Sequence, residues 1–259
     1  MTLAAFIFDV DGTLADTERD GHRVAFNQTF TEAGLDWRWD ETLYGALLAV
    51  TGGKERMRHY LDRYRPDWAR PADLDGLIAQ LHATKTRHYT ALLAEGGIPL
   101  RPGVARLLNE ARAAGIRLAI ATTTTPENVT ALLEHAISPQ AIDWFEVIAA
   151  GDVVPAKKPA PDIYQYVLDK LGLGAEACLA FEDSENGLRS AHGAGLRTVV
   201  TVNDYTRDHD FTGALLVLDQ FGEPQQPFQV LSAPSPLNGE RWFDVALAQR
   251  LAAKIAFRP

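Results

Sequence analysis

The chain opens on a short apolar run, residues 4–8, that ends in Asp9-Val10-Asp11-Gly12-Thr13-Leu14. A fully apolar stretch of this length, stopped by polar residues, predicts a strand buried on both faces of a parallel sheet. From about residue 15 to about residue 99 the pattern becomes helical. Phe26, Phe30 and Ala33 share a face before Gly34. Met57, Tyr60, Leu61 and Tyr64 recur at i, i+3, i+4, i+7 ahead of Pro66, and Leu74, Leu77, Ile78, Leu81, His88, Tyr89 and Leu92 form a longer stripe closed by Gly96-Gly97. No convincing strand pattern falls in this stretch.

Beyond Arg101-Pro102-Gly103, helix and strand patterns alternate. A helical stripe at Val104, Leu107, Leu108 and Ala111 ends at Gly115. Strands are expected at 117–121, 145–149, 178–181 and 198–202, with an edge strand at 215–218. Helices are expected at 161–171 and 184–194, and another starts with Thr125 as N-cap and Pro126 in its first position. Such alternation implies right-handed βαβ crossovers, hence an α/β fold with a doubly wound parallel sheet. The helical block interrupts it after the first strand, which predicts an inserted α-helical cap domain. The expected division is a core of 1–14 and 100–222, a cap of 15–99, and a C-terminal part of 223–259. In that last part, 224–236 reads as a linker. Phe243, Leu247, Leu251 and Ile255 lie four apart within 240–256 and read as an amphipathic helix, docked on the core or turned to a partner.

Composition narrows the function. With 46% hydrophobic and 23% charged residues in 259, disorder over the whole chain is excluded. Acidic residues outnumber basic ones, 34 to 25, which sets the chain against phosphate-neutralising nucleic-acid binders. Cys178 is the single cysteine, so an intrachain disulfide and a cysteine-rich zinc site are excluded. No apolar stretch approaches the ~18 residues of a membrane span. The first residues carry no basic region and soon meet Asp9 and Asp11, unlike a secretory signal. The expectation is a cytoplasmic monomer whose partner is a small molecule.

In an open α/β sheet, ligands bind outside the carboxyl ends of the strands. Three polar clusters directly follow expected strands: Asp9/Asp11, Thr122–Thr125 and Glu182/Asp183. Lys157-Lys158-Pro159 lies in the loop after a fourth. Two like charges ~4 Å apart repel by ~4 kcal/mol at an effective dielectric of ~20. A divalent cation would relieve such crowding, and oxygen ligands suit Mg²⁺. A phosphoryl dianion added beside Asp9, Glu182 and Asp183 makes both the cation and Lys158 electrostatically necessary. A carboxylate relieved of repulsion can attack phosphorus. A second, kept neutral by its negative neighbours, can protonate the leaving alkoxide and then deprotonate water.

Asp9-x-Asp11-Gly12-Thr13, the strand ending in Thr122, Lys158 before Pro159, and Glu182-Asp183 resemble, in order, the four motifs of the haloacid dehalogenase superfamily. The resemblance spans residues 4 to about 222. It implies Asp9 as nucleophile and Asp11 as general acid/base. It also implies Mg²⁺ held by Asp9, the Asp11 carbonyl and Asp183, with Glu182 beside it, and a phosphoryl group gripped by Thr122 and Lys158. Within the superfamily, residues 9–18 with His22, the cap loop Gly52-Gly53-Lys54-Glu55-Arg56, residues 157–164 and the Tyr44 region resemble CbbY-type sugar-bisphosphate phosphatases of carbon fixation. The substrate so implied is xylulose 1,5-bisphosphate. A β-phosphoglucomutase-type mutase is the alternative, since such enzymes share the core and cap. Their cap-loop spacing differs, and Arg56 sits one position further on. A non-enzymatic phospho-ligand sensor is a third reading, opposed by the intact Asp9, Asp11, Lys158 and Asp183.

A bisphosphate needs a site for its second anionic end. Gly52 and Gly53 permit close backbone approach. Lys54 and Arg56 supply charge, Arg bidentately, and Lys85 adds to them. Glu18 and His22 are expected to meet sugar hydroxyls, and Thr123 and Thr124 to supply further donors beside Thr122. Lys157 reads as a surface charge, and the other histidines, His209 among them, as ordinary surface or core residues.

Overall fold

The computed structural model describes residues 3–233 and 237–255, and for 254 and 255 the backbone alone. Strand β1 (Ala5–Phe8) is buried at every position. A π-helical turn, Glu18–His22, follows, then helices α1 (Arg23–Glu32), α2 (Glu41–Leu47), α3 (Gly53–Tyr64) and α4 (Leu74–Ala94). The chain then alternates through α5 (Val104–Ala113), β2 (Arg117–Ala121), α6 (Pro126–Ala136), β3 (Phe145–Ala149), α7 (Asp162–Leu171), β4 (Cys178–Glu182), α8 (Glu185–Gly193) and β5 (Arg197–Thr201). It ends with β6 (Leu216–Leu218), β7 (Val230–Ser232) and α9 (Val245–Ile255). Among the described residues, no helix is long and apolar enough to cross a membrane.

The sheet order is β3-β2-β1-β4-β5-β6-β7. Successive pairs are parallel up to β6, and β7 runs antiparallel to it. Strand β1 lies between β2 and β4, with Ala5 opposite both Arg117 and Cys178. The connections run outward to either side of β1, so this is the switch point where an α/β sheet opens a crevice. Alternation along the strands sorts the core. Phe6, Phe8, Leu118, Ile120 and Phe181 face α5 and α6. Ala5, Ile7, Ala119, Ala121 and Ala180 face Ile163, Tyr164 and Val167 of α7. The small side chains on this second face let α7 approach closely. Residues 26–81 build their own aromatic core, in which the Trp39 ring lies 4.6 Å from Phe26 and 4.9 Å from Phe30.

Three expectations need correction. Strand β6 is not the sheet edge, because β7 covers it, so 224–236 is not simply a linker. The pattern hides β7 because all three of its residues are exposed and its neighbours are Pro, Gln and Ser. Pro236 lies outside the described residues. The last helix starts at Val245 rather than 240; Ala256 and the Ile255 side chain lie outside the described residues. Phe243 precedes that helix and, with Leu247 and Leu251, packs into the apolar core that holds Phe8 and Phe181. The Phe243 ring lies 5.6 Å from Phe181, and Phe181 stacks on Phe8 at 4.5 Å. The helix therefore docks on its own core, behind the strands that carry Asp9 and Glu182. Tyr64, expected on the packed face of α3, is 45% exposed.

Candidate active site

Asp9 follows β1, and its N–H donates to the Phe181 carbonyl, continuing the strand pairing by one residue. Glu182 ends β4, and Ser184 caps α8 by accepting from the Gly187 N–H, so Asp183 sits in the turn between strand and helix. Lys158 reaches into this junction. Its Nζ donates to Asp9 Oδ1 (2.7 Å), Glu182 Oε1 (2.6 Å) and the Ala121 carbonyl (2.8 Å). Tyr164, from α7, donates its hydroxyl to Glu182 Oε1 at 2.5 Å. Asn203, in the turn after β5, donates to Asp183 Oδ2 at 2.7 Å. Thr122 is buried at the end of β2, where its Oγ1 accepts from the Thr124 N–H at 3.3 Å. Gly12 has φ +82°, and a Cβ there would fall 2.2 Å from Asp183 Oδ2. Glycine is thus required both by the backbone and by the closeness of that carboxylate.

One carboxylate oxygen from each of Asp9, Glu182 and Asp183 lies within 4.8 Å of the others. Three carboxylates face a single ammonium. Burial pushes the Asp9 carboxyl well up, against the pull of Lys158, and Glu182, Asp183 and Asp11 push it further. Burial and Glu182 push Asp183 up to about 8, against the Asn203 hydrogen bond. Burial alone would lower Lys158, yet Asp9 and Glu182 hold its proton more tightly than usual. Glu182 Oε2 is buried without a hydrogen-bond partner among the described residues. An all-oxygen donor set with surplus negative charge and a spare buried lone pair fits a hard divalent cation. Asp9, Asp183 and Glu182 are the residues that could hold it.

Asp11 stands apart electrostatically. Its Oδ1 accepts from Thr17 Oγ1 (2.6 Å) and lies 2.8 Å from His22 Nε2. His22 Nδ1 is in turn 2.7 Å from Lys85 Nζ. A protonated Lys85 can only donate, so Nδ1 accepts and Nε2 carries the hydrogen offered to Asp11. Burial pushes the Asp11 carboxyl up, but His22, Thr17 and Lys85 together draw it well below the usual range. The expectation that negative neighbours keep the second carboxyl neutral is therefore corrected: Asp9 and Asp183 are the raised carboxyls, and Asp11 is ionised.

The cavity beside Asp9 measures about 210 Å³ and is lined by Asp9, Asp11, Thr122, Thr123, Lys158 and Asp183, together with Glu18 and Arg56. Tyr44 donates to Glu18 Oε2 (2.5 Å) and accepts from Arg56 Nη1 (2.9 Å). Arg56 is thus a buried cation held in place by a phenol and a carboxylate. Gly52 (φ +97°) and Gly53 start α3, which carries Arg56. Other expected contacts fall elsewhere. His22 is 4% exposed and lies behind Asp11 rather than on the cavity wall. Lys54 turns to Asp152 at 2.8 Å, in a neighbouring cleft that it lines with Gly53, Thr123 and Lys157. Thr124 is buried, and its Oγ1 accepts from Asn128 of α6 at 2.9 Å. Lys157 is no free surface charge, being paired with Glu55 (3.2 Å) and Asp152 (3.1 Å). Lys85 is buried under His22 instead of joining an anion patch.

Asn203 and His209 also line the cavity and were not singled out as site residues in the sequence. Asn203 had a signal: like Asp9 and Asp183, it follows an apolar strand. His209 had none, because it lies well downstream of β5 in an irregular segment.

Residues 3–195 match the family model described as haloacid dehalogenase-like hydrolase, and the chain belongs to that family. It is an enzyme, a phosphatase of this family. It is 50% identical over 247 residues to the plasmid protein CbbY of Cupriavidus necator, covering 94% of each chain. It is 54% identical over 214 residues to protein CbbY of Rhodobacter capsulatus, covering 83% of this chain and 92% of that one. A solved structure of a CbbY mutant from Rhodobacter sphaeroides in complex with xylulose-(1,5)bisphosphate is similar with a TM-score of 0.79 at 50% identity, over 85% of this chain and 95% of that one.

Proposed function

We propose that the chain is a Mg²⁺-dependent sugar-phosphate phosphatase that acts on a sugar bisphosphate such as xylulose 1,5-bisphosphate through an aspartyl-phosphate intermediate. The observation that carries this reading is that Asp9, with Lys158 on its carboxylate, lines one cavity together with the buried cation Arg56. The likeness to a CbbY mutant in complex with that bisphosphate supports the choice of substrate. The Asp9 carboxylate forms a bond to phosphorus as the ester P–O bond breaks, while Asp11 gives a proton to the departing alkoxide. Water then forms a bond to phosphorus, the Asp9–phosphorus bond breaks, and Asp11 takes the proton from the water. The ionised state of Asp11 matches the second half, and its proton for the first half must be loaded beforehand. Lys158, Thr122 and Thr123 hold the phosphoryl oxygens. Bound Mg²⁺ supplies a positive charge that lets a phosphate dianion approach three carboxylates.

A screen of phosphate release from sugar mono- and bisphosphates, with Mg²⁺ and with EDTA, tests this directly. Release should be greatest from xylulose 1,5-bisphosphate and should vanish in EDTA. Undiminished release in EDTA would refute the cation requirement. Conversion of β-glucose 1-phosphate to glucose 6-phosphate, primed by a trace of bisphosphate and without free phosphate, would instead make the chain a mutase.

Arg56 gives a second test. Its guanidinium is fixed by Tyr44 and Glu18, whereas Lys158 is held by Asp9 and Glu182, and both residues line the cavity. Losing a charge-assisted contact of ~1.5–3 kcal/mol should raise KM by roughly ten- to a hundredfold. Arg56→Ala should do this for the bisphosphate and much less for a monophosphate of the same sugar. Equal changes for both substrates would remove Arg56 from the distal end.

A further inference from the structure

Gly21 lies in the π-helical turn that joins the first strand's loop to the cap. It is buried, and its φ is not among the left-handed ones. Backbone freedom is therefore not why glycine stands here; space is. A Cβ at this position would fall 2.6 Å from Ile98 Cδ1 and 2.8 Å from Tyr89 Cε2. Real Cβ atoms do not sit so close, so something would have to shift. Ile98 presents the end of a flexible side chain. Tyr89 does not, because its ring is fully buried and lies 4.0 Å, centroid to centroid, from the His22 imidazole. The same ring lies under Lys85, whose Nζ is 4.9 Å from its centroid. Tyr89 is thus the backing against which both His22 and Lys85 are set.

We infer that Gly21 is a positioning residue: its missing side chain lets the Tyr89 ring pack against His22, tilted by 34°, and this aims His22 Nε2 at Asp11. The inference rests on the reading of Asp11 as the proton-transferring carboxyl and adds to it a steric determinant in the hinge. A methyl group at position 21 drives the Tyr89 ring toward His22 or swings the turn outward. In either case the 2.8 Å contact between His22 and Asp11 opens. Single π-helical turns are frequent at functional sites. Here the wide turn carries Glu18 at one end, on the cavity wall, and His22 at the other, behind Asp11.

The experiment is a cycle of Gly21→Ala, His22→Asn and the double variant, with Asp11→Asn alongside. A misplacement of about 1 Å near the reacting groups costs on the order of 10²-fold, so Gly21→Ala should lower kcat by roughly 10- to 100-fold and leave KM within a small factor. In the His22→Asn background the same substitution should cost nothing further, because the group it acts through is gone. A structural defect would instead multiply the two losses. Wild-type kcat in Gly21→Ala, or losses that multiply in the double variant, would overturn the inference. Should Gly21→Ala fail to fold, Tyr89→Leu removes the backing while keeping the glycine. It should lower kcat in the parent chain and not in His22→Asn, and an unchanged kcat in the parent would overturn the inference equally. Asp11→Asn with full turnover would overturn the underlying reading as well. An inactive Asp11→Asn beside a normal Gly21→Ala would overturn only the role given to Gly21.

Discussion

Asp9→Asn is expected to lose turnover on the order of a millionfold, the scale seen when a catalytic nucleophile is removed. An amide nitrogen or oxygen does not attack phosphorus as a carboxylate does, and no neighbour can take over. Glu182 is committed to Lys158 and Tyr164, and Asp183 to Asn203. The fold should survive. Asparagine has the shape of aspartate and still offers an oxygen to Lys158. The substitution also removes one of three crowded carboxylates, the one whose burial already drives it toward its neutral form. The metal-free variant should therefore melt at the same temperature as the parent or slightly higher. Phosphate release under saturating substrate, together with a thermal melt, checks both halves. Substantial residual turnover in a folded variant would remove Asp9 from the nucleophile's position.

That prediction could be written from the sequence, and the reason is topological. Asp9, Thr122 and Glu182 each end an apolar strand, and apolar strands are the most legible elements of an α/β chain. The sheet then brings them together without further information. What escaped the pattern depended on side-chain direction. Lys54 and Arg56 are near neighbours in the first turn of α3, yet Arg56 lines the cavity and Lys54 turns toward Asp152. Helical phase alone does not tell which charge a core loop will capture. The state of Asp11 was misread for a similar reason. Its nearest ionisable neighbours in sequence are acidic, whereas in space Lys85, which is 74 residues away, and His22 outweigh them. Strand β7 was missed because a three-residue exposed edge has no buried face to print a period on the sequence.

The acidic cluster makes a prediction about stability that is independent of turnover. Stripped of divalent cations, the protein should melt at steadily lower temperature as pH rises from about 6.5 to 8, and Mg²⁺ should remove that slope. Burial and Glu182 push Asp183 up to about 8, whereas an unfolded aspartate titrates near 4. A carboxyl raised in the folded state holds a proton that the unfolded chain has released. Its contribution is complete below about pH 4 and is lost as pH climbs through 8. Asp9 is shifted in the same direction. The choice of window matters because other groups carry the opposite sign. His82 is held down to about 3 by burial and by Lys85, Lys54 and Lys157, and His209 is lowered by burial. Their contributions are present above about 6.5 and fade as pH falls below it, so they mask the aspartates on the acid side. Burial pushes Lys85 down to about 8, and it adds stability only as pH rises above that. Between about 6.5 and 8 the raised aspartates therefore dominate. A group titrating across one and a half pH units contributes about 2 kcal/mol, or roughly 4–8 °C in Tm for a chain of this size. Mg²⁺ stabilises the ionised carboxylates, so the folded state no longer needs the proton, and cation at a hundredfold excess over Kd adds about 2.7 kcal/mol. Melting curves in EDTA and in Mg²⁺ at pH 5.5, 6.5, 7.3 and 8 decide it. A flat metal-free profile from 6.5 to 8 would mean that Asp9 and Asp183 do not hold raised protons in the folded state, and a Mg²⁺ effect as large at 5.5 as at 8 would mean that they do not share a cation with Glu182.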